Sequence, residues 1–128
     1  MNCEYDKVSS ICGNFRFNKH GVCLNPESVI YAPLSAIEWD YVELEVAHCP
    51  QGWIYGGSIP GRVSPCSIYG RRFAAKEDCI DSGIKWLIKQ CKGAISRGYD
   101  IQLNKKALTI LRTTNYPKKQ VFIQLELF

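Results

Sequence analysis

Long hydrophobic runs are missing from this sequence of 128 residues: none approaches the roughly 20 apolar residues that a membrane-spanning helix requires. The opening Met-Asn-Cys-Glu-Tyr-Asp-Lys also lacks the basic and apolar segments of a secretory signal. No internal repeat, low-complexity tract or Ser/Gly linker interrupts the chain. These absences predict one globular domain that makes no membrane contact and stays in the cytoplasm.

Patterns of the common catalytic sites are absent as well, since the sequence contains no GxGxxG, Walker A, HExxH or GxSxG motif. Gly56-Gly57 lacks the Lys-Ser/Thr that phosphate binding needs, and it indicates a loop instead. Two histidines and seven cysteines permit some Cys-His pair, but no spacing fixes the geometry of a nucleophile and its base. We therefore expect a non-enzymatic protein that needs no cofactor.

The cysteines follow no spacing typical of a metal site or of a disulfide framework. No C-x2-C occurs, and the tight pair formed by His20 and Cys23 stands alone, whereas a structural zinc site usually has two such pairs. The number of cysteines, seven, is odd, and no export signal precedes them. We interpret them as reduced thiols, most of them buried as small hydrophobic side chains, and predict no metal.

An antiparallel hairpin is the clearest structural prediction. Residues 40–46 alternate between apolar and acidic or polar side chains, with the period of two expected of a strand that buries one face. The sequence Cys49-Pro50-Gln51-Gly52 fits a turn, and an aromatic run follows it. The hairpin is predicted over roughly residues 40–58.

Neighbouring elements extend this hairpin to three or four strands. Residues 29–31 and 67–69 are candidate strands, and the Gly and Pro residues between positions 56 and 65 mark a loop. The first twenty residues are poorly periodic and form either a short peripheral hairpin or an arm.

Helical periodicity begins at Phe73. Apolar residues recur there at the spacing of one long amphipathic helix that ends at Gly93 or Gly98 and covers the sheet, with Gly83 in close contact with it. Beyond it, residues 99–103 are predicted as an edge strand. Asn104 is predicted to cap a short helix, although residues 107–112 also fit a strand.

The predicted fold class is α+β: an antiparallel three- to four-stranded sheet packed by one long amphipathic helix, with a basic C-terminal extension. Residues 1–119 form the domain, of which 1–20 are the peripheral arm. Residues 120–128 are a C-terminal strand or a docking tail.

Three aromatic residues, Trp53, Tyr55 and Tyr69, fall near arginines and can be interpreted in two ways. They can form a surface on which nucleic-acid bases stack. Alternatively, Trp53 and Tyr55 pack beneath the helix against Trp86, which is the interpretation we favour because a sheet with one helix needs large core side chains.

Charge is distributed unevenly. Residues 1–58 carry a net charge of −4, residues 59–84 of +1 and residues 85–128 of +7, within a total of +4. The basic segment can contact the phosphates of DNA, or it can be a solvated surface whose partner is the acidic half of the same molecule. The candidate nucleic-acid contacts are Lys105, Lys106, Arg112, Lys118 and Lys119.

The sequence ends in Gln-Leu-Glu-Leu-Phe, which resembles the bacterial sliding-clamp-binding motif, Gln-Leu, then usually Ser or Asp, then Leu-Phe. In that family the Gln amide anchors at one side of a hydrophobic cleft and the Leu-Phe pair fills a deep pocket. The resemblance, which covers five residues, implies these roles for Gln124, Leu125, Leu127 and Phe128. Glu126 replaces the commoner Ser or Asp and preserves an acidic character.

This resemblance implies a non-enzymatic, DNA-associated accessory or inhibitor protein of a phage or mobile element, recruited to the bacterial sliding clamp, with DNA as a further partner. The alternative interpretation of residues 121–128 is a final edge strand, because the segment also alternates with a period of two. In that case the protein is a small protein-protein interaction module whose aromatic sheet face meets the partner.

Overall fold

The computed structural model describes residues 8–114, which form two antiparallel sheets and two helices. The α+β class is confirmed. Predictions for residues 1–7 and 115–128 lie outside the described residues. In chain order the elements are β1 (Val8–Cys12), β2 (Phe15–Asn18), β3 (Glu27–Pro33), β4 (Tyr41–Cys49), β5 (Gly52–Ile59), β6 (Arg62–Ser64), α1 (Lys76–Ser96) and α2 (Ile101–Thr113).

The larger sheet has four strands in the order β3-β4-β5-β6. The predicted hairpin is confirmed as β4 and β5, in which Cys49 pairs with Gly52 so that Pro50 and Gln51 form a two-residue loop. The strand predicted at residues 29–31 is confirmed as β3. Val42, Leu44 and Val46 point to one face of this sheet, here called the inner face, and all three are fully buried.

The fourth strand is not where the sequence predicted it. Gly61 adopts a φ of +84°, which reverses the chain immediately after β5, so Arg62 pairs back to Ile59 within the predicted loop. Pro65 follows and ends β6, because it has no N–H for a ladder hydrogen bond. The predicted strand at residues 67–69 is reduced to one isolated bridge, between Val22 and Ser67.

The long amphipathic helix is confirmed as α1, and it packs on the inner face. A Cβ atom at Gly83 would lie 2.6 Å from Leu44 Cδ1, so the predicted close contact between helix and sheet is confirmed. Tyr55 packs against Trp86 with ring centroids 6.0 Å apart, and Trp53 packs against Phe15 and His48. The favoured interpretation is thus confirmed for Tyr55, whereas the ring neighbours of Trp53 are Phe15 and His48, and Tyr69 is 77% exposed.

A second helix replaces the predicted edge strand at residues 99–103, which was wrong. Gly98 and Asp100 have φ values of +77° and +42°, and the Tyr99 N–H donates to the Ala94 carbonyl at 2.9 Å, so the chain turns sharply and re-enters a helix. The strand alternative for residues 107–112 was also wrong. Ala107 and Leu111, four residues apart on one helical face, are both buried in the core shared with α1.

Asn104 is the fourth residue of α2 rather than its cap, which is Asp100. Its buried Nδ2 donates to the carbonyls of Tyr99 and Asp100, at 3.1 and 3.2 Å. The residue therefore fixes the reversal between the two helices.

The prediction of one helix on one sheet needs a second correction, because the opposite face of the four-stranded sheet, the outer face, is also partly covered. Strands β1 and β2 form a separate hairpin, and Phe17 in β2 is only 1% exposed. This hairpin is the first alternative predicted for the N-terminal region. The second core cluster, which lies under it, contains Phe17, Cys23, Ala47, Cys49, Ile54 and Cys66.

Candidate functional site

The predicted clamp-binding residues Gln124, Leu125, Leu127 and Phe128 lie outside the described residues, as do Lys118 and Lys119. The structure places the remaining basic candidates, Lys105, Lys106 and Arg112, together on the exposed surface of α2.

The three cations of α2 differ in what they contact. Lys106 Nζ donates to the Leu34 carbonyl at 2.9 Å, which ties α2 to the end of β3 and occupies this ammonium within the molecule. Lys105 and Arg112 are seven positions apart and so lie on one face of the helix, with Thr109 between them. Lys105, Lys106 and Thr109 also line an open depression of about 400 Å³ on this surface. Lys105 and Arg112 are therefore the α2 cations best placed to meet an external anion.

A different surface lies on the outer face of the sheet. Tyr31, Glu43, Ser58 and Val63 stand directly opposite one another on the four successive strands, so their side chains form one row across this face. Tyr31 is 57% exposed and Val63 is 74% exposed. Nothing among residues 8–114 covers this row as the β1–β2 hairpin covers the second core cluster.

Further aromatic side chains adjoin the row. Tyr41 lies beside Tyr31, with ring centroids 5.4 Å apart, and Trp39, just before β4, is 72% exposed. A groove of about 210 Å³ is lined by Trp39, Tyr41, Ser58 and Val63, and also by Arg62 of β6.

Two carboxylates share this surface with the aromatic rings. Glu43 and Glu45 project from the outer face of β4, and the Ser28 hydroxyl donates to Glu43 Oε2 at 2.7 Å. Partial burial raises the pKa of the Glu45 carboxyl, and the neighbouring negative charge of Glu43 raises it further. The ion pairs within residues 8–114 join Lys76 to Glu27 and Lys85 to Asp81, so neither carboxylate has a basic partner there.

This surface, called below the aromatic-acidic face, consists of Tyr31, Trp39, Tyr41, Glu43, Glu45 and Val63. An aromatic sheet face is predicted by the sequence, but at Trp53, Tyr55 and Tyr69 rather than at these residues. Alternation marked Glu43 and Glu45 as solvent-facing, whereas the contribution of Tyr31 and Val63 depends on strand register, which the sequence alone does not specify.

One pair of reactive side chains is brought together across 36 positions of the chain. The sulfur of Cys12 lies 3.6 Å from His48 Nδ1, at the point where the turn between β1 and β2 reaches the end of the β4–β5 hairpin. His48 also lies against the Trp53 ring, with centroids 4.9 Å apart. Within residues 8–114, no carboxylate is hydrogen-bonded to His48 to orient its ring as a catalytic base requires.

The other five described cysteines are buried in the interior of the protein. All six cysteines between residues 8 and 114 are free thiols, and five are buried. Burial raises the pKa of the Cys79 thiol to about 12 and of the Cys91 thiol to about 11, and it also raises those of Cys23 and Cys66. These four thiols are therefore protonated at neutral pH and act as small core side chains.

Metal ligands do not converge in the described part of the chain, where no three His, Cys, Asp or Glu side chains come close enough to hold an ion. His20 and Cys23, the one tight pair noted in the sequence, lie in different environments: His20 is exposed, whereas Cys23 is 5% exposed and its thiol donates to Asn25 Oδ1 at 3.7 Å. Neither α1 nor α2 is long and apolar enough to cross a membrane.

Comparison of the chain with protein-family models, with curated protein sequences and with solved structures finds no significant match. Inference about function therefore depends on the chain's own residues.

Proposed function

We propose that this protein is a non-enzymatic, DNA-associated accessory or inhibitor protein of a phage or mobile element, recruited to the bacterial sliding clamp through Gln124–Phe128. The observation that carries the proposal is the Gln-Leu-Glu-Leu-Phe sequence, in which two large apolar side chains can fill a preformed cleft while the backbone sets the register. Micromolar affinity is the scale we expect for a peptide of this size.

The placement of the basic side chains supports the same proposal. Helix α2 ends at Thr113, and nine residues, 115–123, separate the described chain from the motif. Nine residues can span at most about 30 Å. A clamp encircles DNA, so a protein held by the motif would keep Lys105 and Arg112 within reach of phosphates.

Titration of purified bacterial clamp against the full chain tests the recruitment. The Leu127→Ala/Phe128→Ala variant should bind about 30-fold more weakly or worse, since it empties the pocket that the pair would fill. The matched control, Val121→Ala/Phe122→Ala, removes two apolar side chains outside the motif and should bind as the wild type does. Equal binding by all three proteins, or no binding by any, contradicts the proposal.

DNA contact is tested by the dependence of affinity on salt. Each phosphate contact contributes about 0.9 to the slope of log affinity against log salt concentration. The Lys105→Ala/Arg112→Ala variant should therefore lower that slope by about 2 on double-stranded DNA. The control variant Arg62→Ala/Lys85→Ala removes the same charge from the sheet end and from α1, and an equal effect of both pairs would assign the binding to net charge alone.

A second candidate function, that of a small protein-protein interaction module, is favoured by the exposed aromatic rings of the aromatic-acidic face. Contiguous exposed apolar side chains of this kind are typical of protein-binding surfaces. Affinity purification followed by identification of the bound protein tests it. Binding should be lost in the Tyr31→Ala/Trp39→Ala variant and retained in Ile11→Ala/Tyr69→Ala, which removes equally exposed apolar groups elsewhere. Retention in both variants places the interaction on another surface.

A further inference from the structure

The chemistry of the aromatic-acidic face indicates what kind of partner it fits. Its two carboxylates lack a basic partner within residues 8–114; Glu43 lies opposite Tyr31, and Glu45 is partly buried. A bound partner that brought no positive charge would leave Glu43 and Glu45 partly desolvated and unpaired, which is costly. A cation from the partner removes that cost.

The geometry favours a planar cation over a spherical one. Glu43 lies directly opposite Tyr31 across the β3–β4 ladder, and the rings of Tyr31 and Tyr41 are 5.4 Å apart. A guanidinium group can stack on a tyrosine ring while its N–H groups donate to a carboxylate, whereas an ammonium cannot do both in the same plane. Arginine is therefore the side chain that uses the ring and the carboxylate together.

The shape of the surface favours an extended partner. The row from Tyr31 to Val63 runs across four strands, and the groove beside it has a volume of about 210 Å³. Arg62 lines that groove from β6, two strands away from Glu43 on β4, so a cation is attracted towards the β3 side and repelled towards the β6 side. A single arginine with apolar neighbours matches this charge pattern better than a run of basic residues does.

We propose that the aromatic-acidic face binds a protein partner which presents one arginine on an extended segment, with its guanidinium between Tyr31 and Glu43. The inference rests on the second of the two functions above, that of an interaction module. Nucleic acid is disfavoured on this face because the adjacent carboxylates repel phosphates.

The test uses the full chain and a defined peptide, acetyl-Thr-Val-Arg-Val-Thr-amide, with the matched peptide in which citrulline replaces arginine. Citrulline keeps the shape of the side chain and removes its charge. Amide chemical shifts of residues 28–33, 39–45 and 58–63 should move on titration, and the arginine peptide should bind about fivefold more tightly. The Glu43→Gln variant should bind the two peptides equally, whereas Glu77→Gln, an exposed carboxylate on α1, should keep the difference.

Several results overturn this assignment while leaving the module function open to its own test. Equal affinity of the wild type for both peptides, or no shift with either, excludes arginine as the recognised group. Shifts at the same residues with a short DNA duplex assign the face to nucleic acid instead. Shifts that depend on protein concentration in the absence of peptide assign it to a second copy of the chain.

Discussion

The outer face of the sheet has two ends that share the same strands and differ in what lies over them. At one end, here called the covered end, Ala47, Cys49, Ile54 and Gly56 lie beneath the β1–β2 hairpin and residues 64–66. At the other end, the aromatic-acidic face has larger side chains and no such cover among residues 8–114. The residues at the covered end belong to types that are most often fully buried, whereas Tyr, Trp and Glu are buried less often.

This difference in side-chain size and cover indicates that the two ends of the outer face contribute differently to the stability of the fold. Small side chains at the covered end let another part of the chain approach closely and form a second core. Large rings beside carboxylates contribute little to folding when exposed, and such residues are typical of surfaces that meet a partner. One strand, β4, thus supplies core positions at Ala47 and Cys49 and, under the proposal above, binding positions at Tyr41 and Glu43.

The largest expected difference between the two ends comes from truncating Phe17, the buried side chain through which the β1–β2 hairpin packs on the sheet. Phe17→Ala should lower the free energy of unfolding by about 3 to 4 kcal/mol, because a fully buried phenyl ring leaves a cavity above Ile54 and Cys66. Tyr31→Ala, at the other end, should change it by less than about 0.5 kcal/mol. Urea denaturation of the two variants measures both values, and similar losses would show that the two ends contribute alike to stability.

Sequence patterns were sufficient for the elements that depend on local periodicity. The β4–β5 hairpin and α1 have long, regular alternation of apolar and polar residues, and both were confirmed. β6 and α2 were misassigned at their starts because each depends on a left-handed backbone conformation, at Gly61 in the first case and at Gly98 and Asp100 in the second. Whether a glycine reverses the chain there is decided by tertiary contacts, such as the packing of Tyr99 over Gly61.

The candidate site shows the same limit. Individual residues such as Lys105 and Arg112 were identifiable from charge, yet nothing in the sequence distinguished them from Lys106, whose ammonium is held by the Leu34 carbonyl 72 positions earlier in the chain. The meeting of Cys12 with His48 and that of Tyr31 with Glu43 likewise depend on strand register and on the docking of the hairpin. Local patterns carry no information about either.

A second, smaller effect tests how tightly the chain lies over the covered end. A Cβ atom at Gly56 would lie 2.5 Å from the backbone nitrogen of Cys66, so residues 64–66 must move to accommodate Gly56→Ala. We expect a loss of about 1 to 3 kcal/mol in the free energy of unfolding. Val63→Ala, on the neighbouring strand β6 and 74% exposed, is the control and should have an effect of less than about 0.5 kcal/mol. If Gly56→Ala left the free energy of unfolding unchanged, residues 64–66 would be able to shift away from the sheet without loss of stability.

The smallest effect concerns Glu45, which pairs with Gly56 and so lies where the two ends of the outer face meet. Burial and the charge of Glu43 raise the pKa of its carboxyl above the ordinary 4.5, so the folded protein binds the proton more tightly than the unfolded chain does. The contribution of Glu45 to stability is therefore lost as pH rises from 4.5 through the folded pKa, and is restored on acidification.

Glu45→Gln should raise the melting temperature relative to the wild type more at about pH 7 than at about pH 3, where the carboxyl is protonated in both states. Glu77→Gln, on the exposed first turn of α1, is the control for a general charge effect. If the difference in melting temperature between Glu45→Gln and the wild type did not change with pH, ionisation of Glu45 would not destabilise the fold. The environment of its carboxyl would then resemble the exposed aromatic-acidic face and not the covered end.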